Sequence, residues 1–155
     1  MKKTSLHLCA TALVLAGILF AAPARAASCS FSSVTGPAFG SYDVFASSST
    51  DSAGNIAYSC TGGATVVITL SMGNGPTFNP RNLQAMGGFL LPYNLYLDAN
   101  HSTIWGDGTG VTSTSTPNSP ADGAIVMVPI FASIPPHQDV PMGHYTDSIT
   151  VTLNF

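Results

Sequence analysis

No segment of this chain sustains a 3.6-residue apolar period. Its apolar side chains recur instead in short period-2 runs bounded by Gly, Pro, Asn and Ser, the pattern of half-buried strands. A first short strand is predicted over Phe39–Phe45, followed by the Ser-rich stretch Ser47–Ser52. Gly54-Asn55 reads as a turn, and Ile56–Cys60 as extended after it. In Thr65–Met72, Val66, Ile68, Leu70 and Met72 share one face and Thr65, Thr69 and Ser71 the other; Gly73-Asn74-Gly75-Pro76 ends the run. Phe89–Asp98 places Tyr93, Leu95 and Leu97 together, with Pro92 marking an edge or a bulge. Ser113–Asp122 is polar and Pro-containing, a surface loop. Ala124–Phe131 is continuously apolar, as in a strand buried on both faces, and Pro135-Pro136 breaks the chain after it. From Tyr145 onward Ile149, Val151, Leu153 and Phe155 alternate with Thr146, Ser148, Thr150, Thr152 and Asn154, which predicts a half-buried strand running to the last residue.

About six to seven short strands at this spacing predict an all-β, two-sheet sandwich of immunoglobulin-like type. The N-terminus departs from the pattern. Lys2 and Lys3 precede the apolar run Leu8–Phe20, and Ala24-Arg25-Ala26 fits a small-x-small cleavage site. The run's 13 residues are short for a membrane span, which takes about 20. Residues 1–26 are therefore expected to be a secretory leader, and residues 27–155 one domain. The alternatives are a buried or membrane-anchoring N-terminal helix, which Pro23 argues against, and lipid attachment at Cys29. The residues before Cys29 lack the large aliphatic side chain that lipid attachment usually requires.

Composition sharpens this. Removing 26 of the 155 residues leaves 129, with Arg81 as the sole Lys or Arg against seven Asp and no Glu, a net charge of −6. One cation cannot neutralise a phosphate backbone, so composition argues against nucleic-acid binding, and for the same reason it excludes a basic membrane-surface patch. Cys29 and Cys60 remain after the leader, and in an oxidising compartment a disulfide is the expected state. Closing a loop of about 30 residues is worth roughly 3–4 kcal/mol in the chain-entropy account.

Candidate chemistry is sparse. His137, Asp139, His144 and Asp147 could supply metal ligands, yet Pro136, Pro141 and Gly143 make their segment read as an ordinary loop. Trp105, in the Gly-rich stretch with Asp107-Gly108-Thr109-Gly110, is either a core anchor or an exposed surface contact. Arg81 is expected to pair with an Asp. No Gly-x-Ser-x-Gly or His-Glu-x-x-His is present, and the chain is read as a non-enzyme without a cofactor.

Five pieces in fixed order resemble a known family: Phe39-Gly40-Ser41-Tyr42-Asp43, Pro80-Arg81-Asn82-Leu83, Tyr93-Asn94-Leu95-Tyr96-Leu97-Asp98, Trp105-Gly106-Asp107-Gly108-Thr109, and Gly143–Asp147 through Val151–Phe155. Together with an early Cys and a second about 30 residues on, they look like the spore coat protein U domain shared by subunits of archaic chaperone–usher pili. The resemblance implies an incomplete sandwich, one strand short. A periplasmic chaperone, and then the next pilus subunit, would fill the resulting groove by strand addition after passage through an outer-membrane usher. It assigns the groove lining to Ile149, Val151, Leu153 and Phe155, and the family disulfide to Cys29 and Cys60. The chain departs from the family in two places. Only Ala27 and Ser28 would precede Cys29, so the chain could receive a strand but not give one, which implies a position at the fibre tip or no linear polymerisation. Ala132 stands after Phe131 where the family has Gly. The alternatives are a tip adhesin, touching surfaces through Gly73–Pro76 or Trp105–Gly110, and a coat protein of a resting cell.

Overall fold

The computed structural model describes residues 26–118 and 123–155. The expected leader thus lies outside the described residues except for Ala26, and so does the end of the Ser113–Asp122 loop. Seven strands follow one another among the described residues: β1 Ser28–Thr35, β2 Thr50–Thr61, β3 Val67–Leu70, β4 Arg81–Gln84, β5 Leu90–Tyr96, β6 Ile125–Ile134 and β7 Val151–Asn154. They form a five-stranded sheet in the order β1-β2-β6-β5-β4 and a two-stranded sheet of β3 and β7. Every pairing between these strands is antiparallel. The architecture is an immunoglobulin-like β-sandwich whose second layer is narrow.

The core lies between these layers. Alternate residues supply it: Ile56, Tyr58 and Cys60 from β2, Leu91, Tyr93 and Leu95 from β5, and Ile68 and Leu70 from β3 with Val66 before it. Cys29 and Cys60 are bonded and stand directly opposite each other in the β1–β2 ladder, so the disulfide staples the outer strand of the large sheet to its neighbour.

Four strand expectations need correction. Gly54-Asn55 is no turn: both residues sit inside β2, paired with Ile130 and Pro129. Glycine is needed there because a Cβ would collide with the Thr35 carbonyl oxygen and lie 2.9 Å from Pro37 N, where the chain leaves β1. Phe39–Phe45 forms no strand; it runs as an irregular strap, kinked by the positive φ of Gly40 (70°) and closed by a turn in which Ala46 N–H donates to Asp43 C=O. The apolar run Ala124–Phe131 becomes β6, but its first half is covered on one face only. Ile125 and Met127 are 63% and 60% exposed, because none of the described residues packs as a layer on the outer face of the five-stranded sheet there. The final strand is shorter than its alternation, with β7 beginning at Val151. Residues 145–150 are tied instead by single bridges, such as Gln84 with Thr146.

Candidate functional site: an open edge above an apolar cleft

The β3–β7 ladder pairs Leu70 with Val151, Thr69 with Thr152, Ile68 with Leu153 and Val67 with Asn154. Just beyond it, Ser71 N–H donates to Thr150 C=O (3.0 Å) and Thr150 N–H donates to Ser71 Oγ (2.9 Å). Antiparallel hydrogen bonding alternates along a strand, so Thr150, Thr152 and Asn154 turn their backbone groups towards β3. The N–H and C=O groups of Ile149, Val151 and Leu153 therefore point to the opposite edge of β7, where no strand is paired among the described residues. The side chains of the same three residues are half-buried against the core. One row of residues thus offers both an open main-chain edge and an apolar face.

Beside this edge lies a cleft of about 990 Å³. Its floor is the inner face of the sandwich, where Leu70, Leu91, Leu95, Ile130 and Ile134 meet. One wall is Ile149 and Val151. The strap 36–45 contributes Phe39, Tyr42 and Val44 to the lining, and the segment 140–147 contributes to it as well. Phe39 meets the Tyr93 ring edge-on at 6.0 Å between centroids. The Tyr42 hydroxyl donates to Pro135 C=O (2.9 Å) and accepts from Gln138 N–H (2.8 Å), which holds the strap to the chain after β6.

The cleft is acidic where it is charged. Asp43 and Asp147 line it with His144, and no Lys or Arg does. Asp147 Oδ2 accepts from the Tyr93 hydroxyl at 2.7 Å, while Oδ1 accepts from the backbone of Asn74 and Ser148. Burial, and after it the hydrogen bond to the Asp147 carboxylate, raises the Tyr93 hydroxyl above the ordinary phenol range. Asp147 thereby fastens the turn after β3 to β5 and to the approach of β7. Gly73 is required beside it, because φ is +79° and a Cβ would strike the carboxylate.

The expected site residues divide as follows. Ile149 and Val151 line the cleft; Leu153 packs on the core outside that lining, and Phe155 lies past the end of β7 at 57% exposure. Trp105 is corrected as a surface contact. It is fully buried, and its Nε1–H donates to Ile68 C=O at 3.0 Å, because a large ring with one polar edge is satisfied by a single carbonyl inside the core. Arg81 is likewise corrected: it is fully buried and bonded to no carboxylate among the described residues. Its guanidinium donates to the carbonyls of Ser71 and Trp105 and to Asn94 Oδ1, 2.7–3.1 Å away, and stands 5.2 Å from the centre of the Phe78 ring. His137, Asp139, His144 and Asp147 do not converge; among the described residues no three His, Cys, Asp or Glu groups are placed to share a metal ion. Sequence reading missed the strap as part of the cleft lining and the Tyr93–Asp147 bond. The period-2 pattern of Phe39–Phe45 was the available signal for the first, and nothing in the spacing signalled the second.

A sandwich with a narrow second layer and an open edge on β7 is the class of protein that fold and site define. The chain belongs to the Spore Coat Protein U domain family, which it matches over residues 15–152. It is 31% identical over 111 residues to Protein U of Myxococcus xanthus, a match that covers 66% of this chain and 59% of that protein, so the chain spans about three fifths of the relative's length. Its fold is similar to a chain in the crystal structure of the CsuC–CsuE chaperone–tip adhesion subunit pre-assembly complex from archaic chaperone–usher Csu pili of Acinetobacter baumannii. The TM-score is 0.53 at 16% identity, over 84% of this chain and 40% of that one.

Proposed function

We propose that this chain is an exported structural subunit of a fimbria-like surface assembly, incorporated by strand complementation. The observation that carries the reading is the edge of β7, where Ile149, Val151 and Leu153 find no strand partner among the described residues, beside an apolar cleft. A strand laid there gains main-chain hydrogen bonds from the edge and buries alternate side chains in the cleft. Left open, such an edge templates aggregation, which is the physical reason a chaperone would cover it before assembly. Periplasmic chaperone, outer-membrane usher and neighbouring subunits are the proposed partners, and surface or fibre the proposed location. No helix among the described residues is long and apolar enough to cross a membrane.

Cleavage after Ala26 would leave two residues before Cys29 and so no strand to donate, which favours a place at the fibre tip. N-terminal sequencing of the secreted protein checks this; a start well upstream of Ala27 ends the tip assignment. The main reading is checked by co-expression with a periplasmic chaperone of the archaic chaperone–usher class. A one-to-one complex is expected, and Val151→Asp is expected to lose it. A chain that stays monomeric and soluble alone and ignores the chaperone contradicts the reading.

A second reading, a tip adhesin, has its own support. The β4–β5 turn and the segment beside it present Met86 and Met142 at 95% and 103% exposure, with half-exposed Phe89 and Leu90. A contact through these loops replaces the one sought at Trp105. Replacing Met86, Phe89 and Met142 by Ser is expected to abolish adsorption to an apolar surface while leaving chaperone binding intact.

A further inference from the structure

The five-stranded sheet, the layer opposite β7, has an open stretch of edge of its own on β6. There β5 pairs with β6 through Asn94, Leu95 and Tyr96, which face Ser133, Ala132 and Phe131. Leu95 and Leu97 turn their main chains the other way: Trp105 N–H donates to Leu95 C=O (2.9 Å), and Leu97 N–H donates to Thr103 C=O (3.0 Å). Antiparallel alternation then directs the main-chain groups of Asn94 and Tyr96 at β6, and those of Phe131 and Ser133 at β5. The β2–β6 register is unbroken from Ile125 to Ile134. By the same alternation Val126, Val128 and Ile130 face β2, and Ile125, Met127 and Pro129 face the side on which β5 has ended. Among the described residues no strand pairs with those three there. Their side chains are uncommitted too. Ile125, Met127 and Pro129 are exposed on the outer face, while Val126, Val128 and Ile130 turn inward. Met127 Sδ accepts from Asn55 Nδ2 at 3.7 Å across that outer face. No charged residue occurs in 123–134, nor in 52–61 of β2, although the chain without its leader would carry −6.

We propose that this row is a lateral contact between two copies of the chain, paired antiparallel about a two-fold axis at Met127. The row is complementary to itself, as a two-fold contact requires. Met127 meets Met127 of the second copy, and each N–H donates to the other's C=O. Ile125 meets Pro129 of the second copy. Proline has no N–H to give, but its carbonyl accepts from Ile125 N–H, and the Ile125 carbonyl is left to water. Past Pro129 the strand is already paired with β5, so the contact stops where the open edge stops. The side chains repeat the match, methionine on methionine and isoleucine on proline. Charge selects the same occupant. A chain of net −6 approaches its own copy best over an uncharged patch, and this row is uncharged on both sides, whereas a basic partner finds no carboxylate in it. So short an edge buries far less than the roughly 1,200–2,000 Å² of a stable interface. Isolated chains therefore pair weakly, and copies arrayed side by side in one assembly pair effectively. β7 lies in the other sheet, so this contact leaves the complementation edge free and stands independently of that reading.

Oxidative cross-linking of the full secreted chain tests this. Facing residues of a hydrogen-bonded antiparallel pair have Cα atoms about 5.5 Å apart, within the roughly 4.4–6.8 Å that a disulfide spans. Met127→Cys is expected to form a disulfide-linked dimer about tenfold faster than Met142→Cys, whose side chain is fully exposed but lies outside the row. Ile125→Cys alone is expected to match the slow control, because its counterpart lies far along the facing strand. Mixed with Pro129→Cys it is expected to cross-link as fast as Met127→Cys. Association through β7 does not reproduce this pattern of positions. Equal rates at Met127→Cys and Met142→Cys overturn the proposal. So does amide exchange of the unsubstituted chain in which Ile125 and Met127 are as protected at high dilution as Val126 and Val128, since the chain would then cover this edge itself.

Discussion

Arg81 is a buried cation that bonds to no carboxylate among the described residues. Burial holds its guanidinium below the ordinary value, opposed by the fields of Tyr93, Asp147 and Asp107, and three oxygen acceptors take up its donors instead. A lysine cannot reproduce that fork, because one ammonium cannot reach the carbonyls of Ser71 and Trp105 and Asn94 Oδ1 together. Arg81→Lys is therefore expected to cost about 3 kcal/mol, the scale of leaving buried polar groups unsatisfied, read as a lower urea midpoint. Tyr93 gives a pH signature. Its hydroxyl holds its proton to higher pH in the folded chain than in the unfolded one, since burial and the Asp147 carboxylate both disfavour the phenolate. Its stabilising contribution is complete below about pH 10, where the unfolded phenol begins to ionise, and declines as pH rises beyond that. Melting temperature should fall above pH 10, and less steeply in Tyr93→Phe. Burial raises Tyr58 and Tyr96 as well, so part of the slope should survive the substitution.

At the scale of elements, legibility followed the strength of alternation and failed where backbones meet. The buried face of β3, given by Val66, Ile68 and Leu70, and the inward row of β5 follow from spacing alone, because each strand has one wet and one dry side. Ile149, Val151 and Leu153 were legible for the same reason. Gly54 misled, since glycine signals a turn as readily as a close approach, and only the path of β1 shows which applies. Gly54→Ala is expected to destabilise by about 2 kcal/mol through the clash with the Thr35 carbonyl, measured as a loss of melting temperature. Trp105 and Arg81 were legible only in part: Trp105 read as either a core anchor or a surface contact and Arg81 as the partner of an Asp, and the carbonyls that satisfy both inside come from distant parts of the chain. Ser71, which supplies one of those carbonyls, also takes part in the approach to β7, so loss of Arg81 should loosen β7 too.

For the whole molecule, the imbalance between the layers decides the behaviour. Among the described residues five strands form one sheet and two form the other, so the inner face near β5 and β6 is covered partly by the strap and the segment 140–147 rather than by a ladder. The isolated chain should accordingly associate in a concentration-dependent way, and Val151→Asp, which places a charge on the open row, should reduce that association along with partner binding. The claim beneath these expectations is that the outer edge of β7 is unpaired, and residue-resolved amide exchange of the isolated chain tests it most directly. The account predicts an alternation along one strand: slow exchange at Thr150, Thr152 and Asn154, which face β3 and Ser71, and fast exchange at Ile149, Val151 and Leu153. Equal protection at all six amides would mean that the chain closes its own edge, and would contradict the account.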